Sequence, residues 1–342
     1  MAKSRTRLFK RTNGTWYIAY HDDDKVRWKS THTSIKQEAL EFLLDFHQES
    51  RTGVRKILLT EFVKEFVTLQ SNAIRKSTLE RIYLRAFKIF ETICGDKPLG
   101  SYTLRDVEFF KSRRLETCGP TTVNIEFRTL RAAFNCAVKW QFLKENPFSR
   151  SSKLRVPEKL PVYFSKEDFR DFFAQVQEPV LKDVYIFAAL TGLRLGEILN
   201  LDWQRVNLER RMIVVANSAG FSTKTGKARV VPMNNAVLEI MVRREATKGS
   251  CDAVFHLGGR RLKHSYVQHN FKRYVRRAKL NDELRFHSLR HTFATWLVQG
   301  GVNIYEVQKL LGHSDVRTTE IYSHLTASEL QGAVDKISAL LN

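Results

Sequence analysis

Four short runs in the second half of the chain gather the side chains best suited to act on a phosphate. Thr191-Gly192-Leu193-Arg194-Leu195-Gly196-Glu197 sets an arginine beside a glycine turn at a helix start, with a carboxylate three residues on. Ser222-Thr223-Lys224-Thr225-Gly226-Lys227 lies between two expected strands and puts Lys224 at a hairpin tip. His287-Ser288-Leu289-Arg290-His291-Thr292 places an imidazole and a guanidinium three residues apart, hence on one helical face. Leu311-Gly312-His313 then precedes Tyr322 by nine residues. Each run has an ordinary reading too, since Arg-x-x-Glu is commonly an intrahelical ion pair and a lysine at a turn commonly serves solubility. Their order along the chain is less ordinary.

Seven of the ten histidines fall between His256 and His324, which raises the question of a metal. The spacing argues against one. His287 and His291 are four apart, but Ser288 stands where a zinc protease of the His-Glu-x-x-His type needs its glutamate. No acidic cluster suited to Mg²⁺ lies nearby.

The chain has 342 residues, and 57 Lys+Arg against 36 Asp+Glu leave a formal charge of +21. Such a surplus points to a polyanion, because cations near phosphates release condensed counterions. The surplus is +5 in residues 1–56, +8 in 57–156 and +8 in 157–342, so no single tail carries it. That distribution suits a chain that wraps a long ligand; a solubilising surface is the plain alternative. A hydrophobic content of 43% excludes the disordered and collagen-like classes. The four cysteines are scattered, without zinc-ribbon or redox spacing, and no apolar stretch approaches a membrane span or a signal peptide core. A reducing, intracellular setting is expected, with no membrane partner.

Elements that would position these groups follow from periodicity. Leu8 to Arg11 and Trp16 to Tyr20 read as a hairpin closed by Asn13-Gly14 in a tight two-residue turn, with a second turn at Asp22-Asp23-Asp24. In the next strand Val26 and Trp28 share one face, expected to pack, while Lys25, Arg27 and Lys29 share the other. Ser34 with Gln37 makes a capping box for a helix carrying Ala39, Leu43 and Phe46. Residues 57–148 read as four or five helices, with a second capping box at Ser77/Glu80, a stop near Gly95, a cap at Thr103 and a fresh start after Gly119-Pro120. In the last of them Asn124, Arg128, Arg131, Asn135 and Lys139 form a polar row beside an apolar stripe, either a solvated face or one fit for a DNA groove. A polar, basic stretch, 149–161, reads as a linker. Ser165 with Asp168 opens a mainly helical region interrupted by strands near 211–216 and 229–233, and Leu330, Val334, Ile337 and Leu341 share one face of a terminal helix over 327–342. The fold class is therefore multidomain and mainly α: a three-stranded sheet with one helix (1–56), a helical domain (57–148), and a mixed, mainly helical domain with a small sheet (162–326).

Taken together, Arg194, Lys224, His287-x-x-Arg290, Gly312-His313 and Tyr322 resemble the active site of the tyrosine recombinases, the phage-integrase and Xer-like family. Thr-Gly-Leu-Arg-x-Gly-Glu, His-x-Leu-Arg-His-Thr and Leu-Leu-Gly-His-Ser-x-x-x-Thr-Thr-x-x-Tyr stand in family order over roughly residues 163–325. Residues 57–148 look like the family's helical core-binding domain, and the N-terminal sheet is similar in architecture to the arm-binding module of mobile-element and phage integrases.

The resemblance implies a strand transferase acting on double-stranded DNA without metal or ATP. Arg194 and Arg290 would clamp the non-bridging oxygens as forked cations. Tyr322 would attack, assisted by His287 or concerted with proton loss; Lys224 would protonate the departing 5′ oxygen, His313 would donate to the same phosphate, and Glu197 would orient a neighbouring active-site base. A homotetramer on core sites, arm sites contacted by Lys25, Arg27 and Lys29, core contacts by Asn124, Arg128 and Arg131, and accessory DNA-bending or directionality proteins belong to the same expectation. So does a cytoplasmic, nucleoid-associated location in a prokaryotic or viral host cell. The tail would dock on a neighbouring protomer or on its own domain. The rivals are a type IB topoisomerase, a non-catalytic DNA-binding regulator and a metal-dependent nuclease.

Overall fold

The computed structural model describes residues 6–22, 25–52, 57–157, 159–217 and 228–322. Lys224, the second turn's Asp23 and Asp24, and the tail from 327 to 342 lie outside the described residues. The chain divides into two compact units, 1–158 and 159–342, and the break falls inside the expected linker.

The first unit opens with an antiparallel sheet of β1 (Arg7–Lys10), β2 (Trp16–Asp22) and β3 (Lys25–Ser30), in that order. The hairpin forms, but on a longer loop than expected. Gly14 alone takes a positive φ, +78°, while the Asn13 side chain accepts the Thr15 N–H at 3.1 Å. Helix α1 (Lys36–Thr52) covers one face, burying Ile18 and Ala39 completely and bringing Phe46 within 4.8 Å of Tyr20. Its entry is organised by Thr33, not Ser34: the Thr33 hydroxyl accepts the Ile35 N–H at 3.1 Å and bonds to Glu38.

The two faces of β3 are the reverse of the expected ones. Lys29 pairs with Ile18, and its ammonium lies 5.1 Å from the Phe46 ring and 5.6 Å from Phe42, on the helix side. Val26 and Trp28 are 52% and 46% exposed on the open side. Alternation gave the two sets correctly, but a long lysine stem can lie over aromatic rings as well as a valine can.

The helical part comprises α2 (Leu59–Gln70), α3 (Lys76–Thr78) running through a π-helical stretch, Leu79–Leu84, into α4 (Arg85–Cys94), then α5 (Leu104–Leu115) and α6 (Pro120–Lys139). Helix α3 starts at Lys76, so Ser77 already sits in the first turn and the expected box does not cap it. Gly95 ends α4 at φ +79°, Thr103 and Asp106 cap α5, and Pro120 opens α6. Phe90, Phe134 and Phe148 meet at centroid distances of 5.0 to 5.9 Å in the core.

The first part of the linker belongs to this unit. Lys111, buried on α5, donates to the Ser151 hydroxyl at 3.0 Å and the Ser152 carbonyl at 2.9 Å.

The second unit runs α7 (Lys166–Gln175), α8 (Pro179–Thr191), α9 (Leu195–Leu199), β4 (Val206–Asn207), β5 (Met212–Val215), β6 (Arg229–Pro232), α10 (Asn235–Ala246), β7 (His256–Leu257), β8 (Arg260–Arg261), α11 (His264–Arg277), α12 (Phe286–Gln299), α13 (Ile304–Leu311) and α14 (Arg317–Glu320). Ser165 caps α7 through the Asp168 N–H, as its sequence predicts. Helix α8 is apolar nearly all round and is buried accordingly. In the β4-β5-β6 sheet Ile213, Val215 and Val231 point into the core. Among the described residues no helix is long and apolar enough to cross a membrane.

Candidate active site

Arg194 stands at the N-terminal cap of α9, delivered there by Gly192, which ends α8 in the left-handed conformation. Its backbone N–H and one guanidinium nitrogen both reach Glu197, at 3.0 and 3.1 Å. The Arg194 side chain keeps 21% of its surface exposed, whereas Glu197 keeps 1%.

The partner that balances Glu197 was not foreseen. Arg229, the first residue of β6, grips the carboxylate with two nitrogens at 2.6 and 3.1 Å and donates its Nε–H to the Leu310 carbonyl at 3.0 Å. Burial alone would raise the Glu197 carboxyl, but the hydrogen bonds and charge of Arg229, with help from Arg194, hold it below the usual carboxylate range. Glu197 is thus a shared anchor for two arginines, Arg194 and Arg229.

Arg290, on α12, is 2% exposed and ties the Gly192 carbonyl to the Leu311 carbonyl, at 2.6 Å each. Burial first, then Arg194 beside it, pull its guanidinium down to about 9, which leaves it cationic at neutral pH. His313 follows Gly312, the left-handed cap of α13, and its Nδ1 meets the Thr319 hydroxyl at 2.9 Å. Burial, then the charges of Arg290, Arg194, His287 and Arg229, push its imidazole down to about 3, so it is neutral.

Tyr322 is 1% exposed among Ala294, Val298, Val307 and Leu311. Burial pushes its phenol up to about 12 against a smaller pull from Arg290. The group at its hydroxyl is His291, with Nδ1 at 2.6 Å; His287, the expected helper, meets the His291 ring at 5.0 Å, edge to face.

The structure therefore brings Arg194, Glu197, Arg290, His313 and Tyr322 near one another and adds Arg229, His291 and Thr319, which the sequence motifs do not single out. Arg229 reads in sequence as an ordinary strand start, and the spacing of His291 from His287 suggests a metal ligand and no other role. Among the described residues no group of three His, Cys, Asp or Glu suits a metal ion.

The expected DNA contacts divide. Asn124 is a correction: its amide donates to and accepts from the Leu154 backbone at 2.9 and 2.8 Å, so it fastens the linker instead of facing a groove. Arg128 and Arg131 stay exposed on α6. Lys29 lies against α1, as described above. A basic concavity of about 400 Å³ on α11, lined by His269, Lys272, Arg273, Arg276 and Arg277, was not singled out beforehand.

Residues 167–329 match the phage integrase family. A tyrosine recombinase XerA of Thermococcus onnurineus is 30% identical over 240 residues, 67% of this chain and 80% of that one. The XerA of Pyrococcus furiosus is 28% identical over 295 residues, covering 84% and 97%. Among solved structures, the Tn1549 transposon integrase in complex with transposon right-end DNA superposes with a TM-score of 0.70 at 22% identity, over 82% of this chain and all of that one. A lambda integrase tetramer bound to a Holliday junction gives 0.66 at 17%, over 90% and 95%. The likeness to these two establishes the fold.

Proposed function

The chain belongs to the tyrosine recombinase family, and from that premise we propose that it integrates and excises DNA by cutting and rejoining strands through a 3′-phosphotyrosyl linkage at Tyr322. The observation that most supports this reading is the convergence of Arg194, Arg290, His313 and Tyr322 around one point of the second unit.

A phosphodiester repels nucleophiles with its own charge, so the equatorial oxygens must be neutralised before attack. Arg194 offers its unburied donors to one oxygen, while Arg290, fixed by two backbone carbonyls, approaches another without reorganising. With Nδ1 turned to Thr319, His313 presents Nε2 as a donor to the same phosphate. Lys224 protonates the 5′ oxygen as it leaves.

Tyr322 cannot wait as a phenolate. With its phenol near 12, ionisation at neutral pH costs roughly 7 kcal/mol, so the proton leaves during attack. The product retains the bond energy as a phosphotyrosyl ester plus a free 5′ hydroxyl, and religation consumes no ATP and needs no metal. When the attacking hydroxyl comes from a second duplex, strands exchange. Two such rounds pass through a four-way junction held by four protomers, with arm and core sites on the DNA and accessory bending or directionality proteins to set the outcome. Arg128, Arg131 and the basic face of α11 serve as phosphate contacts.

The test is a nicked suicide duplex. The wild-type chain accumulates a covalent adduct, and Tyr322→Phe binds the same duplex and forms none; an adduct with Tyr322→Phe refutes the assignment.

A further inference from the structure

The proton on Tyr322 needs an acceptor, and among the described residues the nitrogen hydrogen-bonded to its hydroxyl belongs to His291. His291 Nδ1 stands 2.6 Å from the Tyr322 oxygen. The two rings lie 5.9 Å apart at 50°. Tyr322 is 1% exposed, so bulk water has little access to compete as the acceptor. His287, on the same helix, meets the His291 ring edge to face at 5.0 Å.

Protonation states allow this hydrogen bond to run from the phenol to the ring. Burial, then the adjacent Arg290, push His291 down to about 4, so the ring is neutral at physiological pH, and the phenol beside it is firmly protonated. In the Nε2–H tautomer of that neutral ring the phenol donates and Nδ1 accepts, which is the arrangement general-base catalysis starts from.

We propose that His291 is the general base of the cleavage step, taking the Tyr322 proton as the phenol oxygen attacks the scissile phosphorus. The O–H bond of Tyr322 breaks as the Nδ1–H bond forms on His291. The tyrosyl O–P bond forms, the P–O5′ bond breaks, and the 5′ oxygen takes its proton from the acid of the site. In religation each transfer reverses: a 5′ hydroxyl attacks, and the His291 imidazolium returns its proton to the departing phenolate. Transfer ahead of attack is strongly uphill between a phenol near 12 and an imidazole near 4. The anionic phosphate seated by Arg290 offsets the charge that disfavours the imidazolium, so transfer and attack proceed together.

This inference rests on the recombinase reading, and its test separates the two. Single-turnover adduct formation is measured with the full-length chain on the suicide duplex, first for the wild type and Tyr322→Phe; an adduct dependent on Tyr322 establishes the reading itself. In that background His291→Ala is expected to form adduct on the order of a hundred-fold more slowly while binding DNA normally. Added imidazole, filling the space the side chain leaves, is expected to restore part of the rate in proportion to its neutral form. His291→Asn, which can hold the phenol but cannot take its proton, is expected to be as slow as the alanine variant. Cleavage by His291→Ala or His291→Asn at the wild-type rate or faster overturns the proposal, and so does a slow His291→Ala that imidazole leaves unchanged.

Discussion

Arg229 and Glu197 meet as a two-toothed ion pair, 2.6 and 3.1 Å, with both side chains nearly out of solvent at 9% and 1% exposure. Through Glu197 the pair reaches Arg194, and through the Leu310 carbonyl it reaches the turn that carries His313. Removing one partner strands a buried charge. Arg229→Met should therefore destabilise the second unit by about 3–5 kcal/mol, and Glu197→Leu by a comparable amount, whereas the double variant should cost far less than their sum. Denaturant unfolding of the four proteins in a double-mutant cycle gives the coupling; strictly additive losses would mean that the pair is not a unit.

The same pair predicts a pH dependence. The folded-state Glu197 carboxyl lies below its ordinary value of 4.5, so its stabilisation is fully present above that pH and fades as acid protonates the folded form. Glu197→Gln removes the titrating group. The stability gap between wild type and Glu197→Gln should be widest near neutrality and narrow steadily below about pH 4.5. A gap that stays constant from pH 7 to pH 3 would show that the carboxylate's charge contributes nothing.

Gly312 offers a contrast with another glycine of the same unit. It sits at φ +66°, and a Cβ there would fall 2.8 Å from the Arg229 side chain; Gly249, at φ +57°, has nothing within 4 Å. Alanine at either position bears the left-handed penalty of about 1–2 kcal/mol. Only Gly312→Ala must also displace Arg229, so it should lose more stability than Gly249→Ala and slow adduct formation at least tenfold, with Gly249→Ala cleaving normally. Equal losses in both would mean that Arg229 gives way at no cost.

The candidate site was legible because its chemistry is strung in recognisable runs, each bringing its own glycine or helix phase: Gly192 before Arg194, a spacing of three from His287 to Arg290, Gly312 before His313. Periodicity likewise gave α6, whose Val123, Phe127, Leu130 and Phe134 are buried as their stripe predicts. Arg229 was opaque because its partner lies 32 residues away and its own run, Arg-Val-Val-Pro, has only strand character. Asn124 was misread for a related reason: a polar residue on a helix face is equally consistent with a groove, with solvent or with a strand of chain laid along it, and the choice is made by the fold. Helix starts failed where capping residues were doubled, as at Thr33 beside Ser34, since hydroxyls one position apart compete for the same N–H groups.

The β3 faces carry the remaining prediction. A sheet can enter a DNA groove only with the side that its covering helix leaves open. Here that side holds Phe9 and Trp28, 5.3 Å apart, with the Arg11 guanidinium 4.4 Å over Tyr17 and 5.3 Å over Trp28. Lys29 faces α1 instead, where its cation over two rings contributes about 0.5–1 kcal/mol to the module. In selection from a random pool of long duplexes, the wild-type chain should enrich two classes of site, core and outlying. Trp28→Ala and Arg11→Ala should lose the outlying class by about ten- to a hundred-fold, the effect of one or two groove contacts, and keep the core class. Lys29→Gln should lower the module's stability and leave the ratio of the two classes unchanged. Loss of the outlying class with Lys29→Gln but not with Trp28→Ala would return the contact to the helix-side lysines, and equal loss of both classes with Trp28→Ala would make the sheet a nonspecific anchor.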